Sequence, residues 1–415
     1  MDFRSRLRTA LTGAPDTPLV LLGNFEVEDE WARGERGLPR LAMGGSGRAI
    51  VNRMDELALL LAAERDHVVL KARPEPDHLG YLDRLGLPVP TVLVPREQDP
   101  QCPVTVDALR DRNLQTALSR QDGWLAPHGV SAAEEELARR SGTRLAAPPT
   151  DVCKAVNSKI FSRRLATEEG LRQAPGRTCA TVGELAEAFA WAAGLIDAGG
   201  RVVVKDAYGV SGKGIAVVDD TRRLDRLRRM VESKAARDGR DDVALVVEEW
   251  VAKRTDLNYQ FLVGRDGTVT FDVVKEALTE AGVHKGHRFP VRLTAAQLEE
   301  LTTAANAIGG TLFHAGYFGV VGVDAMVDPD GGLYPLVEIN ARNNMSTYQA
   351  VVQETLVPDG AEVLARHYPV RVREPLAFAA LCRALDGVLL APAGREGLIV
   401  TGFATVNAAL PDGRL

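Results

Sequence analysis

The sequence predicts an α/β protein of two or three domains, and three observations carry that prediction. Short β-branched or leucine-rich runs alternate with segments whose apolar residues recur at helical spacing. Glycine- and proline-bearing turns separate them. At 415 residues the chain is also longer than one hydrophobic core usually supports.

Composition narrows the class. A hydrophobic content of 45% with 26% charged residues suits a globular enzyme in water. Fifty Lys+Arg against 56 Asp+Glu give a net charge of −6, and with no basic patch present no nucleic-acid partner is expected. The four cysteines, Cys102, Cys153, Cys179 and Cys382, share no C-x-x-C spacing, which predicts a reduced, cytoplasmic protein. No secretory leader is legible, and no run reaches the roughly 18 apolar residues of a spanning helix, so no membrane partner is expected.

Taken in order, Phe3–Leu11 is amphipathic and Pro18–Gly23 (PLVLLG) reads as a first strand. Met43–Arg48 (MGGSGR) reads as a turn before a helix, with an anion cradle as the alternative. Ile50–Ala63 has helical spacing, and His67–Lys71 and Thr91–Pro95 are short strands, giving a layer of parallel character. Pro148-Pro149 marks a boundary, so we expect an N-terminal α/β domain over 1–148, a second unit over 149–348 and a C-terminal α/β segment over 349–415. Asn157–Gly170 predicts a helix capped by Asn157 or Ser158, followed by a second over Leu185–Leu195. Lys159 falls in a first turn, where the helix dipole disfavours a cation; it is either tolerated in solvent or drawn to an anion, and helix chemistry favours the former.

Arg201–Gly214 (RVVVKDAYGVSGKG) is a buried strand that ends in Lys205 and runs into a loop with Gly209, Gly212 and Gly214. The glycine order matches neither a Walker A loop nor a dinucleotide fingerprint. By itself the loop is as often a surface turn as a phosphate cradle. Val243–Val251 is a further strand with Glu248 and Glu249 near its end, and Leu257–Val263 with Val269–Val274 predicts a hairpin. Leu293–Leu312 and Tyr348–Leu356 read as helices.

Val320–Val327 and Leu333–Asn340 flank the turn Asp328–Gly331. Glu338 and Asn340, two apart on a strand, leave one face, and Asp324 on the preceding strand can converge on them. Two carboxylates and an amide oxygen form a hard donor set suited to Mg²⁺ or Mn²⁺. A salt bridge from Arg342 would compensate Asp324 instead, and Arg342 is also placed for a developing oxyanion. His284 and His287 read as solvent-exposed histidines of a polar loop, without a third soft ligand for zinc.

In this order, these features resemble the ATP-grasp superfamily over about Pro149–Tyr348. The resemblance implies an ATP-grasp fold of two α+β lobes, here behind an N-terminal α/β pre-ATP-grasp domain, with ATP between the lobes. It implies that Lys159 and Lys205 bind phosphates, while Gly209, Val210, Ser211, Gly212 and Lys213 close over them. Glu248, Glu249, Trp250 and Val251 would hold adenine, Val251 by its backbone, and Asp256 would address the ribose where the family more often has glutamate. Asp324, Glu338 and Asn340 would hold two Mg²⁺, with Arg342 and Lys205 as catalytic groups. The activity implied is an ADP-forming carboxylate–amine ligase joining a small carboxylic acid to an amino acid or peptide amine, in a chain that forms a homodimer. The whole chain is similar to peptide ligases of peptide natural-product biosynthesis. A phosphotransferase on the same fold and a nucleotide-binding regulator without turnover are the alternatives.

Overall fold

The structure, a computed structural model, describes residues 1–39, 44–209, 214–280, 283–391 and 394–415. Val210–Lys213 and Met43, the first residue of Met43–Arg48, are not among them, so the expectations for those residues lie outside the described ones.

The first layer is a parallel sheet of β1 (Leu19–Leu22), β2 (His67–Val69), β3 (Thr91–Leu93) and β4 (Trp124–Pro127), in the order β3-β2-β1-β4. Every residue of β1 is buried, as expected of a central parallel strand covered on both faces. The helix expected over Ile50–Ala63 is instead an α-helix at Gly45–Asn52 and then a 3-10 helix at Arg53–Leu61. In the tighter coil two consecutive acids, Asp55 and Glu56, both turn inward to accept backbone N–H groups: Asp55 from Lys71, Glu56 from Phe403 (2.5 Å) and Ala404 (2.8 Å). Phe378, Val400, Phe403 and Val406 thereby join one core with Phe3, Leu7 and Leu59, so residues beyond 378 pack on the first domain.

The second layer is antiparallel: β5 (Gly176–Thr181), β6 (Val202–Asp206), β7 (Ile215–Val218) and β8 (Asp242–Glu249), ordered β5-β8-β6-β7. Side chains alternate across it. Val202, Val204, Leu245 and Val247 pack in one core with residues of helices Val182–Asp197 and Thr221–Arg237. The register puts Val203 beside Glu248 and Lys205 beside Val246, so Lys205 and Glu248 share the opposite face.

The third layer is an antiparallel sheet of six strands, β9 (Thr255–Val263), β10 (Val269–Glu280), β11 (Val283–Phe289), β12 (Gly319–Val327), β13 (Leu333–Asn340) and β14 (Val363–Arg366), ordered β13-β12-β9-β10-β11-β14. Helix Ala295–His314, opened by a Thr294/Gln297 capping box, contributes Leu301, Ala305 and Ile308 to a core with Tyr259, Phe261, Val321 and Val323. Alternation then leaves Asn258, Gln260 and Asp324 to the other face. The Arg265–Gly267 hairpin forms as expected, with Gly267 at φ +83°.

Candidate active site

The site is assembled where β13 ends. In the β12–β13 hairpin Asp324 stands directly across from Glu338, and Gly322 across from Asn340. Asp324 accepts from Asn258 Nδ2 at 2.9 Å and from Asn340 Nδ2 at 3.3 Å. Burial, reinforced by the neighbouring Glu338 charge, pushes the Asp324 carboxyl up to about 6.

Helix Lys159–Glu168 is fixed against this hairpin by short side chains. Ser158 caps it, Ser162 Oγ accepts from Ile339 N at 3.1 Å, and Asn157 pairs with both N and O of Ala341 (2.9 and 3.1 Å). Lys159 Nζ consequently lies 2.6 Å from Glu338 Oε1 and 3.3 Å from the carbonyl of Gly209. Lys159 is buried rather than solvated, which corrects the helix-based expectation: a carboxylate offsets the unfavourable dipole.

Lys205 leads into the glycine loop, whose ends are tied by Asp206 N to Gly214 O at 2.7 Å. Its ammonium pairs with Glu248, which also accepts from Arg163 Nη1 at 2.8 Å. Burial works to raise the Glu248 carboxyl, but Lys205 and then Arg163 outweigh it and bring it below the usual range. The Glu248 side chain is therefore committed to two cations, and its backbone lies inside the ladder between β5 and β6. Beyond it, Glu249 N and Trp250 N bond Pro175 O and Arg201 O (both 2.8 Å), whereas Val251 makes no backbone hydrogen bond to a described residue. Asp256, two residues before Asn258 on β9, accepts from Lys253 Nζ (2.5 Å) and Thr279 Oγ1 (2.9 Å).

Arg342 does not bridge to Asp324. Its Nε donates to Glu28 Oε1 at 2.7 Å, and Nη2 donates to the same oxygen. Nη2 also reaches Asn340 Oδ1, and Nη1 the Asn343 carbonyl, both at 3.0 Å. Glu28, on a short helix Val27–Trp31 of the first domain, gave no signal in the sequence because its partner is 314 residues away. Asn258, Arg163 and Lys275 were also missed. Asn258 was legible in principle, since the alternation N-Y-Q-F along β9 puts it on the Asp324 face. Lys275 is buried on β10, donates to Gln349 Oε1 at 3.0 Å, and is lowered to about 8 by burial.

The reading of His284 and His287 is corrected. They lie on β11, not in a loop, and His287 is buried, with the two Nε2 atoms 3.2 Å apart. Burial lowers the pKa of both, so they are neutral near pH 7.

Among the described residues no cluster of three or more His, Cys, Asp or Glu could hold a metal. The hairpin offers two carboxylates and an amide. That set fits Mg²⁺, which commonly takes one or two protein carboxylates and completes its shell with water and phosphate oxygens.

Comparison with known proteins bears on the fold. Residues 54–143 match the Pre ATP-grasp domain family, and residues 158–355 match the family of the carbamoyl-phosphate synthase L chain, ATP binding domain. The chain is 28% identical over 323 residues to a [butirosin acyl-carrier protein]–L-glutamate ligase of Niallia circulans, covering 77% of this chain and 71% of that one. Among solved structures, a biotin carboxylase–β,γ-ATP complex from Campylobacter jejuni is similar with a TM-score of 0.51 at 16% identity, over 79% of this chain and 74% of that one. An ADP complex of N5-carboxyaminoimidazole ribonucleotide synthetase gives 0.50 at 14%, over 96% and 91%. No helix among the described residues is long and apolar enough to cross a membrane. With a pre-ATP-grasp match followed by an ATP-binding-domain match, and with solved ATP-grasp structures of similar shape, the chain has an ATP-grasp fold and is similar to a carboxylate–amine ligase.

Proposed function

We propose that the protein is an ATP-dependent, ADP-forming peptide ligase that activates a carboxylate as an acyl phosphate and joins it to the amine of a peptide or amino acid. One observation carries the reading: Asp324 and Glu338 face each other across the β12–β13 hairpin, with Lys159 on Glu338 at 2.6 Å and Asn340 joining Asp324 (3.3 Å) to Arg342 (3.0 Å). A carboxylate resists attack by an amine because its leaving group would be an oxide. Transfer of a phosphoryl group to it supplies a phosphate leaving group, and charge on that group must be neutralised. Asp324, Glu338 and Asn340 would hold Mg²⁺, which when bound supplies that neutralisation and orients the phosphates. Lys159 and Lys205 bind phosphate oxygens, and Val251 offers its backbone to adenine. Arg342 donates to the oxyanion formed as the amine attacks, and exclusion of water guards the acyl phosphate from hydrolysis.

The finer reading draws on the likeness of the whole chain to the peptide ligase of pheganomycin biosynthesis. It makes the acid a nonproteinogenic, arylglycine-type residue and the amine that of a peptide, within the assembly of a peptide natural product. The test is mass spectrometry of reactions with Mg-ATP, arylglycine-like acids, amino acids and short peptides. The expected product has the mass of acid plus amine less water, with ADP formed. AMP would overturn the acyl-phosphate route, and a phosphorylated acceptor would favour a phosphotransferase.

A further inference from the structure

Arginine carries five N–H donors in one plane. In Arg342, Nε and both Nη2 donors go to Glu28 and Asn340, and one Nη1 donor goes to the Asn343 carbonyl. Among the described residues one Nη1 donor has no acceptor. Which donor is left over depends on Glu28, because Glu28 fixes the Nε edge of the plane. The Glu28 mount is rigid. Trp31 Nε1 donates to Val130 O at 2.8 Å, and Val27 packs so closely on Gly129 that a Cβ there would come within 2.7 Å of it. Asn24 bonds His128 N and Gly129 O (2.9 and 2.7 Å), and His128 O accepts from Asn343 N at 3.0 Å, next to Arg342 itself.

The hairpin acids compete for the same guanidinium. Glu338 and Asp324 both attract Arg342, and the Glu28–Arg342 pair is largely buried, with side-chain exposures of 11% and 12%. Without Glu28, the charges of Glu338 and Asp324 are those left to attract the guanidinium.

We propose that Glu28 is a positioning residue, which holds Arg342 off the Asp324–Glu338 hairpin, so that the metal site stays open and one Nη1 donor faces the reacting carbonyl. This rests on the ligase reading above. Removing Glu28 lets the guanidinium collapse onto the hairpin carboxylates, where it competes with Mg²⁺.

The test measures ADP binding by calorimetry across a Mg²⁺ series, using the full chain. In Glu28→Gln the Mg²⁺ concentration for half-maximal ADP binding should rise on the order of tenfold, the worth of one hydrogen bond to a charged group. Glu28→Asp should fall between it and the parent. The double variant Glu28→Gln/Arg342→Met should return close to the parent value, because no guanidinium is left to compete. A merely structural role for Glu28 would lower the melting temperature without moving the Mg²⁺ dependence. Unchanged Mg²⁺ dependence in Glu28→Gln, or no recovery in the double variant, overturns the proposal alone. A parent protein that shows no Mg²⁺-dependent ADP binding overturns the ligase reading and this proposal with it.

Discussion

Replacing Glu248 by glutamine probes the link between the lobe core and the glycine loop. The carboxylate lies between Lys205 and Arg163, and all three side chains are 11–14% exposed. Removing one partner of a buried ion pair costs about 3–5 kcal/mol, since a charge remains uncompensated. Glutamine keeps a carbonyl acceptor for one of the two cations, and a hydrogen bond to a charged group recovers about 1.5–3 kcal/mol. The net loss should be about 2 kcal/mol, read from urea unfolding of parent and variant. Adding Arg163→Met removes one stranded cation, so the double variant should lose less than the two single losses summed. ADP with Mg²⁺ offers Lys205 a replacement anion, so ligand stabilisation should be greater in Glu248→Gln than in the parent. A loss below about 0.5 kcal/mol, a scale usual for exposed sites, would refute the buried bridge. Equal stabilisation by ADP would refute the placing of Lys205 at the phosphates.

Three further outcomes are expected. Glu338→Gln should reduce ligation at least about 100-fold, as loss of a group that neutralises transition-state charge does, while circular dichroism stays unchanged; near-normal ADP release would remove Glu338 from the site. Asn157→Ala strips both partners from the buried Ala341 backbone and should cost about 2–4 kcal/mol in denaturant unfolding; a neutral result would mean that the clamp does not anchor β13. Because Asp324 is raised to about 6, its contribution to apo stability is present below its unfolded pKa and lost as pH rises through about 6. Mg²⁺ needs the ionised form, so the increase in melting temperature given by Mg²⁺ with ADP should grow from about pH 5 to pH 7. Asp324→Asn should flatten that growth, and an unaltered profile would show that another group titrates.

What could be read from the sequence follows the range of the interactions. The β12–β13 hairpin was legible because strand alternation fixes the side-chain face, and one turn joins Asp324 to Glu338. The helix of Lys159 was legible from its cap and apolar stripe, but its burial was not. Only the tertiary pairing with Glu338, 179 residues on, explains a cation at a helix start. His284 and His287 were misread because H-K-G-H looks like a loop. The strand is imposed from outside, by pairing of β11 with β10 and β14. Glu28 and Arg163 lie on helices that betray nothing of their partners. Charge pairs between distant segments leave no local pattern.

The contact of Glu56 with Phe403 and Ala404 also has a consequence for biogenesis. The two ends of that contact are separated by 347 residues. At translation rates of about 5–20 residues per second, on the order of 20–70 s pass between their syntheses. Through that interval the nascent first domain has its parallel strands but not Phe378, Val400, Phe403 and Val406, the residues that close one side of its core. An uncovered apolar surface on an emerging chain is what holdase chaperones bind. Trimming the segment after 378 would therefore yield a permanently nascent state in place of a smaller enzyme.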